Sequence, residues 1–246
     1  FSTSTDTNNT AVGFSAGAAV TTGVHNTIMG SNAGDAITTG TRNISIGSSA
    51  LTADTIGSRA VAIGYEALAT QNFTTANDNY NIGIGFQAGY AVTTAVNNVF
   101  IGGLAGDALN TGGENTAVGY IALSADTKGA KSVAIGIGTL QVQNFTTATD
   151  SYNTAVGYAA GNAVTTGIQN TLVGGIAGVA LTTGRENVAV GLAALTTEDA
   201  GNYNTAIGAR ALQTQNAGTD IYNTAVGYSA GLNVTTGSQN TMVGAH

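Results

Sequence analysis

A five-residue phrase that ends in glycine recurs along the whole chain, and its spacing constrains the fold more than any other feature. "NTAVG" and its variants end at fourteen glycines, which we call the anchor glycines. The spacings between successive anchors are 17, 17, 17 and 21, and this block of four recurs, with 19 in place of 21 in the third block. Such a fixed period predicts a repeat architecture in which each unit packs mainly on its neighbours. The anchors are Gly13, Gly30, Gly47, Gly64, Gly85, Gly102, Gly119, Gly136, Gly157, Gly174, Gly191, Gly208, Gly227 and Gly244.

Each unit carries one short strand signal. The residue before the anchor is always Val, Ile or Met, and the residue two positions earlier is Thr, Val or Ile. Side chains alternate between the faces of a strand, so these two positions share a face, which we expect to point inward. The inward aliphatic ladder would then include Val12, Val156, Val173 and Val226. One strand per unit of roughly 17 residues, followed by Gly and small residues, predicts an all-β, parallel β-solenoid of about 14 coils in blocks of four.

Asn stands four residues before the anchor in twelve of the fourteen units. Asn tolerates the left-handed conformations of turns, and stacked amides can bond to one another and to the backbone. We therefore interpret the column, which includes Asn9, Asn26, Asn153 and Asn170, as a turn ladder; a ligand-binding row is the alternative. Coils stacked at the spacing between neighbouring strands, about 4.8 Å, would form a rod of roughly 65 Å. Residues 1–246 would be one domain, which we expect to belong to a longer fibre.

Two other repeat architectures fit the sequence poorly. A helical repeat would place Gly and β-branched residues inside every helix, where each Gly costs about 1 kcal/mol relative to Ala. A propeller blade needs four strands, and one strand signal per repeat unit is too few.

Composition excludes several classes of partner. Six basic residues among 246, with a net charge of −7, cannot line a phosphate-binding surface, so we expect no nucleic acid partner. No apolar run approaches the roughly 20 residues of a membrane-spanning helix. The chain has no Cys, which excludes disulfides and thiolate ligands.

Several phrases resemble the head repeats of trimeric autotransporter adhesins, the YadA-like heads, and similar phrases in phage tail fibres. They are "NTAVGY", "SVAIG" from Ser132 to Gly136, and "AVAIGYEAL" from Ala60 to Leu68. The resemblance covers essentially the whole chain. It implies a left-handed parallel β-roll, three chains side by side, exposure on an outer surface and a role in attachment. The chain departs from that family in its longer coil spacing and in the regular recurrence of a still longer unit.

Large apolar residues directly follow many anchors and should face away from the inward ladder. A column of that size would be unusual on the surface of a monomer. Association between copies, most simply as a side-by-side trimer or else as a filament, would bury it; a second internal layer is the alternative. The residues are Phe14, Tyr65, Phe86, Tyr120, Tyr158, Leu192 and Tyr228.

The longer units add residues at one turn, and protruding loops on a rigid scaffold often contact partners. Loop residues that could do so are Phe73, Asp78, Tyr80, Phe145, Asp150, Tyr152, Asp220 and Tyr222. The alternative is that these loops only close a wider turn.

The sequence shows no catalytic constellation. Carboxylates that share a column lie four coils apart, about 19 Å, which is too far for paired acid and base chemistry. We therefore predict no enzyme activity, no metal and no cofactor. The "TTG" phrases suggest ice binding, but adjacent Thr side chains face opposite sides of a strand, which disfavours it.

We predict a structural extracellular fibre or adhesin head on a cell surface or virion, whose partner is an unidentified surface receptor or matrix component. A phage tail-fibre shaft and a filament subunit stacked end to end are the alternatives.

Overall fold

The computed structural model describes residues 6–245, so both ends of the predicted domain, Phe1 and His246, lie outside the described residues. The chain forms two compact units, Phe1–Asn115 and Thr116–His246. Each unit is all-β, and residues 6–245 contain no helix. That the chain is a single domain stays a prediction.

The strands are short. The first unit contains β1 (Thr10–Val12), β2 (Thr27–Met29), β3 (Ile44–Ile46), β4 (Gly57–Ser58), β5 (Val61–Ile63), β6 (Asn77–Asp78), β7 (Ile82–Ile84) and β8 (Val99–Ile101). The second contains β9 (Thr116–Val118), β10 (Gly129–Ala130), β11 (Val133–Ile135), β12 (Thr149–Asp150), β13 (Thr154–Val156), β14 (Thr171–Val173), β15 (Val188–Val190), β16 (Thr205–Ile207), β17 (Thr224–Val226) and β18 (Thr241–Val243).

In both units the three-residue strands stack in parallel, each directly over the equivalent strand of the next coil. Thr154 pairs with Thr171, and Val156 pairs with Val173. The longer coils keep this register, because Val61 still pairs with Ile82. The two-residue strands pair separately, β4 with β6 and β10 with β12. The prediction of a parallel β-solenoid is confirmed, with about fourteen turns in all, six in the first unit and eight in the second.

The anchor glycines bring successive backbones into close contact. Gly157 has φ +135°, a conformation that L side chains rarely adopt. A Cβ on Gly157 would lie 2.5 Å from the carbonyl oxygen of Gly174 in the next coil. Any side chain here would force the coils apart, which is why this column contains only glycine.

The strands face the opposite way from the prediction. The middle residue of the strand, such as Ala155 or Leu172, is buried, whereas Val12 is 55% exposed at the first coil. Val156, Val173 and Val226 are half-buried on the outward face, shielded only by the coils above and below. The expected inward aliphatic ladder is therefore wrong. The alternation of side chains fixes which residues share a face but not which face is inside, and this narrow coil admits only one inward residue per strand.

The fourth residue after each anchor points into the core. In successive coils this position is Gly, Gly, Leu and Leu, and the order then repeats. Two successive glycines make room for one large strand residue. Cβ atoms on Gly161 and Gly178 would lie 2.6 and 2.8 Å from the side chain of Leu172. In the next coil Leu195 occupies this position and the strand residue is Ala189, so the core stays filled.

We predict that Gly178→Ala destabilises the protein by about 1–3 kcal/mol, because the new Cβ overlaps Leu172 and Gly178 has φ +56°. The matched control is Gly175→Ala, where a Cβ meets only Leu192 Cδ1 at 3.3 Å and φ is ordinary. We expect the control to change stability by less than about 0.5 kcal/mol. Urea unfolding followed by circular dichroism measures both, and equal losses would contradict this account of the core.

Candidate functional site

The loops of the longer coils are tied to the core by their aromatic residues. Phe73 and Phe145, predicted to contact a partner, are only 4% and 5% exposed. The Phe145 amide donates to Asp126 Oδ1 at 3.1 Å, and its ring lies against Gly129. The prediction fails for these two residues, because a large apolar ring gains more from burial beneath the loop than from exposure on it.

A buried carboxylate lies beneath each longer coil. Asp54 Oδ1 accepts a hydrogen bond from the Gly57 amide at 2.9 Å, and its Oδ2 accepts one from Gln71 Nε2 at 2.7 Å. Gln143 Nε2 donates in the same way to Asp126 Oδ2 at 2.6 Å, and Gln215 Nε2 to Glu198 Oε2 at 3.0 Å. Burial raises the pKa of Asp54, although the hydrogen bonds that it accepts from Gln71 and Gly57 act in the opposite direction. The hydrogen bonds to both Asp54 oxygens assign this carboxylate a role in shaping the turn.

The Asn column forms a hydrogen-bonded ladder within each unit, with one position in each unit that is not Asn, Ala60 and Ser132. The Asn26 amide N–H donates to Asn9 Oδ1 at 2.8 Å, and the Asn170 amide N–H donates to Asn153 Oδ1 at 2.9 Å. Asn170 Nδ2 also donates to the carbonyl oxygen of Gly184 at 2.9 Å. Asn26, Asn153 and Asn170 are buried, so these amides are not presented to a ligand.

Two glutamines of the buried networks, Gln71 and Gln143, take the place of Asn where the Asn column is interrupted. Ala60 stands in the Asn column one coil before Asn81, and Gln71 Oε1 accepts from Asn81 Nδ2 at 2.8 Å. At the second interruption, Gln143 Oε1 accepts from Asn153 Nδ2 at 2.9 Å. The carboxylate and the Gln therefore act together to connect the longer coil to the ladder.

The exposed residues of the loops form clusters at the edge of the coils. In the first unit, Arg59 Nε lies 3.0 Å from Asp78 Oδ1, and Arg59 Nη1 donates to the Tyr80 hydroxyl at 3.1 Å. The guanidinium lies over the Tyr80 ring, 5.4 Å from its centroid.

In the second unit, Lys131 takes the part of the arginine. Its Nζ lies 2.6 Å from Asp150 Oδ2 and 3.3 Å from the Tyr152 hydroxyl. The hydrogen bond from Lys131 lowers the pKa of Asp150, and the same bond raises the pKa of Lys131. Positive and negative charges are thus paired within the cluster.

The third cluster has a tyrosine where the others have a cation. Tyr203 and Tyr222 stack with their ring centroids 4.8 Å apart and their planes 4° apart. Asn202 Nδ2 donates to Asp220 Oδ1 at 2.7 Å beside them. The Arg185 guanidinium lies 5.8 Å from the Tyr203 centroid. Desolvation, followed by the Asp220 carboxylate, raises the pKa of the Tyr222 phenol.

Sequence reasoning found the Asp and Tyr of each cluster but missed their partners. Tyr80 stands five residues before its anchor, and Arg59 occupies the same position one coil earlier. Lys131 and Tyr203 also stand five residues before their anchors, one coil before Tyr152 and Tyr222 respectively. Reading that column alone would have identified the three pairs.

The first Thr of four "TTG" phrases uses its hydroxyl within the chain. Thr38 Oγ1 donates to the Thr55 carbonyl at 2.9 Å, and Thr165 Oγ1 donates to the Thr182 carbonyl at 3.1 Å. These hydroxyl protons join neighbouring coils, so the first Thr of these phrases does not offer its hydroxyl proton to external water.

The outward face of the strands, which we call the strand face, is a second candidate surface. It comprises the first and last residues of each three-residue strand and the residue after each anchor glycine. None of these residues is charged in either unit. Tyr158 is 66% exposed, and Tyr65 stacks on Phe86 with centroids 5.5 Å apart. The alternative of a second internal layer is wrong for this column, because its members are exposed, namely Phe14, Tyr65, Phe86, Tyr120, Tyr158, Leu192 and Tyr228.

No protein-family model, curated protein or solved structure matches the chain. Within residues 6–245, no three His, Cys, Asp or Glu side chains are grouped so that they could hold a metal ion. The same residues include no helix with the length and apolar character to cross a membrane.

We predict that Asp54→Asn and Asp150→Asn alter the pH dependence of stability in opposite directions. The folded-state pKa of Asp54 is raised, so its contribution is greatest at acid pH and is lost as pH rises through that pKa. The folded-state pKa of Asp150 is lowered, so its contribution is present above the unfolded-state pKa and is lost as pH falls.

Urea unfolding between about pH 3 and about pH 7 would measure both effects. The free energy of unfolding of the wild type minus that of Asp54→Asn should fall with rising pH, whereas the same difference for Asp150→Asn should rise. If both differences changed with pH in the same direction, the opposite pKa shifts of Asp54 and Asp150 would be refuted.

Proposed function

We propose that this chain is a structural, surface-exposed fibre or adhesin segment that associates with copies of itself through the strand face. The observation that carries the proposal is that every coil in both units presents apolar or small uncharged residues on that face. An extended exposed apolar surface on a soluble protein marks an interaction site.

The charge distribution favours a second copy of the chain as the partner. Each copy has a net charge of −7, yet the strand face contributes nothing to it. Two such faces can therefore meet without opposing like charges in the contact. An acidic or basic partner would find no countercharge there, so the face offers it no electrostatic selectivity.

The resemblance to YadA-like heads supports three copies side by side and left-handed winding, and the spacing of the anchor glycines supports coils organised in blocks of four. It also supports placement outside the cell or on a virion, and a role in attachment to a surface receptor or matrix component. The edge clusters then present the same arrangement several times per oligomer, which suits multivalent binding.

We predict a solution mass of three times the 24.2 kDa chain mass at micromolar concentration, measured by light scattering after size exclusion. Replacing Tyr120, Tyr158 and Tyr228 with Ser should shift the protein towards monomer, because it removes apolar area from the strand face. The matched control replaces the similarly exposed Tyr152 and Tyr222 at the coil edge with Ser and should leave the mass unchanged. A wild-type monomer would contradict the proposal.

We further predict that beads coated with the protein adhere to cell monolayers or immobilised matrix proteins. Excess free wild-type protein should compete, and the strand-face variant should compete less well because it loses multivalency. Equal adhesion by beads coated with an unrelated acidic protein would remove the support for an attachment function.

A further inference from the structure

The third edge cluster is the one in which two phenol rings lie face to face. Tyr203 and Tyr222 belong to neighbouring coils of the second unit, and their rings are nearly parallel at 4.8 Å. In the equivalent clusters, Tyr80 and Tyr152 face Arg59 and Lys131. The three edge clusters thus contain one pair of stacked phenols and two phenols that each face a cation instead.

The tyrosine pair is held in place by the residues that precede it. The backbones of Asn202 and Asp220 form a parallel bridge, and their side chains are joined at 2.7 Å. The amide of Arg185 donates to Asn202 Oδ1 at 2.9 Å, and its guanidinium lies over the Tyr203 ring at 5.8 Å from the centroid. These contacts keep the two rings in register.

Both rings are accessible to an oxidant at the surface. Tyr222 is 50% exposed and Tyr203 is half-buried. The chain has no Cys, so a disulfide cannot join its coils. Oxidative coupling of phenols is a covalent chemistry that two neighbouring tyrosines can undergo without one.

We propose that Tyr203 and Tyr222 are a site of dityrosine cross-linking by a haem peroxidase with hydrogen peroxide. Each phenol loses one electron and one proton, and the two radicals form a carbon–carbon bond between ring carbons adjacent to the hydroxyls. The coupled rings are ketones at this point, and each ring hydrogen at the new bond moves to its carbonyl oxygen as the ring regains aromaticity. Overall, one hydrogen peroxide takes up two hydrogen atoms and gives two waters.

The cross-link would join two neighbouring coils covalently, at positions that are equivalent in their repeat units. The two coils could then no longer separate at this edge without breaking a covalent bond. A fibre exposed to mechanical load or to proteases would gain resistance to local opening of the coil. The inference is independent of the oligomeric state, because both tyrosines lie in one chain.

The experiment oxidises the purified full chain with a haem peroxidase and hydrogen peroxide, followed by intact mass, dityrosine fluorescence and peptide mapping. We expect a product that lacks two hydrogen atoms and contains a Tyr203–Tyr222 peptide. Its yield should not depend on protein concentration. Tyr222→Phe keeps a ring in the stack and should abolish this product, whereas Tyr152→Phe should not affect it.

A gain-of-function variant tests the geometry independently. Lys131→Tyr places a second phenol beneath Tyr152, in the column that Tyr203 occupies beneath Tyr222. We expect this variant to form a second cross-link and to lose four hydrogen atoms in all. Adding Tyr152→Phe should remove the second cross-link alone.

Three results would overturn the proposal. The first is no dityrosine in the oxidised wild type. The second is a product that persists in Tyr222→Phe. The third is cross-linking whose yield rises with protein concentration and involves the tyrosines indiscriminately, since that would show collision between chains.

Discussion

The close approach of backbone at the anchor glycines is the constraint on which the rest of the structure depends. Each anchor has a positive φ, and most stand where a Cβ would collide with the carbonyl of the next anchor. This contact sets how far apart successive coils lie. Once the distance and register are fixed, each residue stands directly above its equivalent, and side chains interact in columns.

The columns explain why so small a core is sufficient. Each strand contributes one inward side chain, and the alternation of Gly and Leu after the anchor keeps the narrow interior filled. Polar ladders supplement this core, because the Asn amides bond from coil to coil while buried. Where a longer coil interrupts the ladder, a buried carboxylate and a Gln carry the connection across it.

The same arrangement leaves two distinct surfaces outside. The strand face is apolar and uncharged, because only one residue of each strand can point inward and the flanking ones must point out. The coil edge carries the three clusters of charged and phenolic side chains, and in two of them opposite charges are paired across neighbouring coils. A solenoid built in this way repeats equivalent surface positions from coil to coil.

The sequence by itself determined the parallel solenoid and its period, because a glycine that tolerates no side chain recurs at a fixed spacing. It also indicated the Asn column, because Asn suits a turn that repeats. Only the tertiary structure decided that Val156 faces outward and Ala155 inward, since strand alternation is symmetric with respect to inside and outside. It likewise decided that Phe73 is buried and that Arg59 meets Tyr80. Those outcomes depend on which side chain lies in the neighbouring coil, and that contact joins residues a full turn of the solenoid apart in the chain.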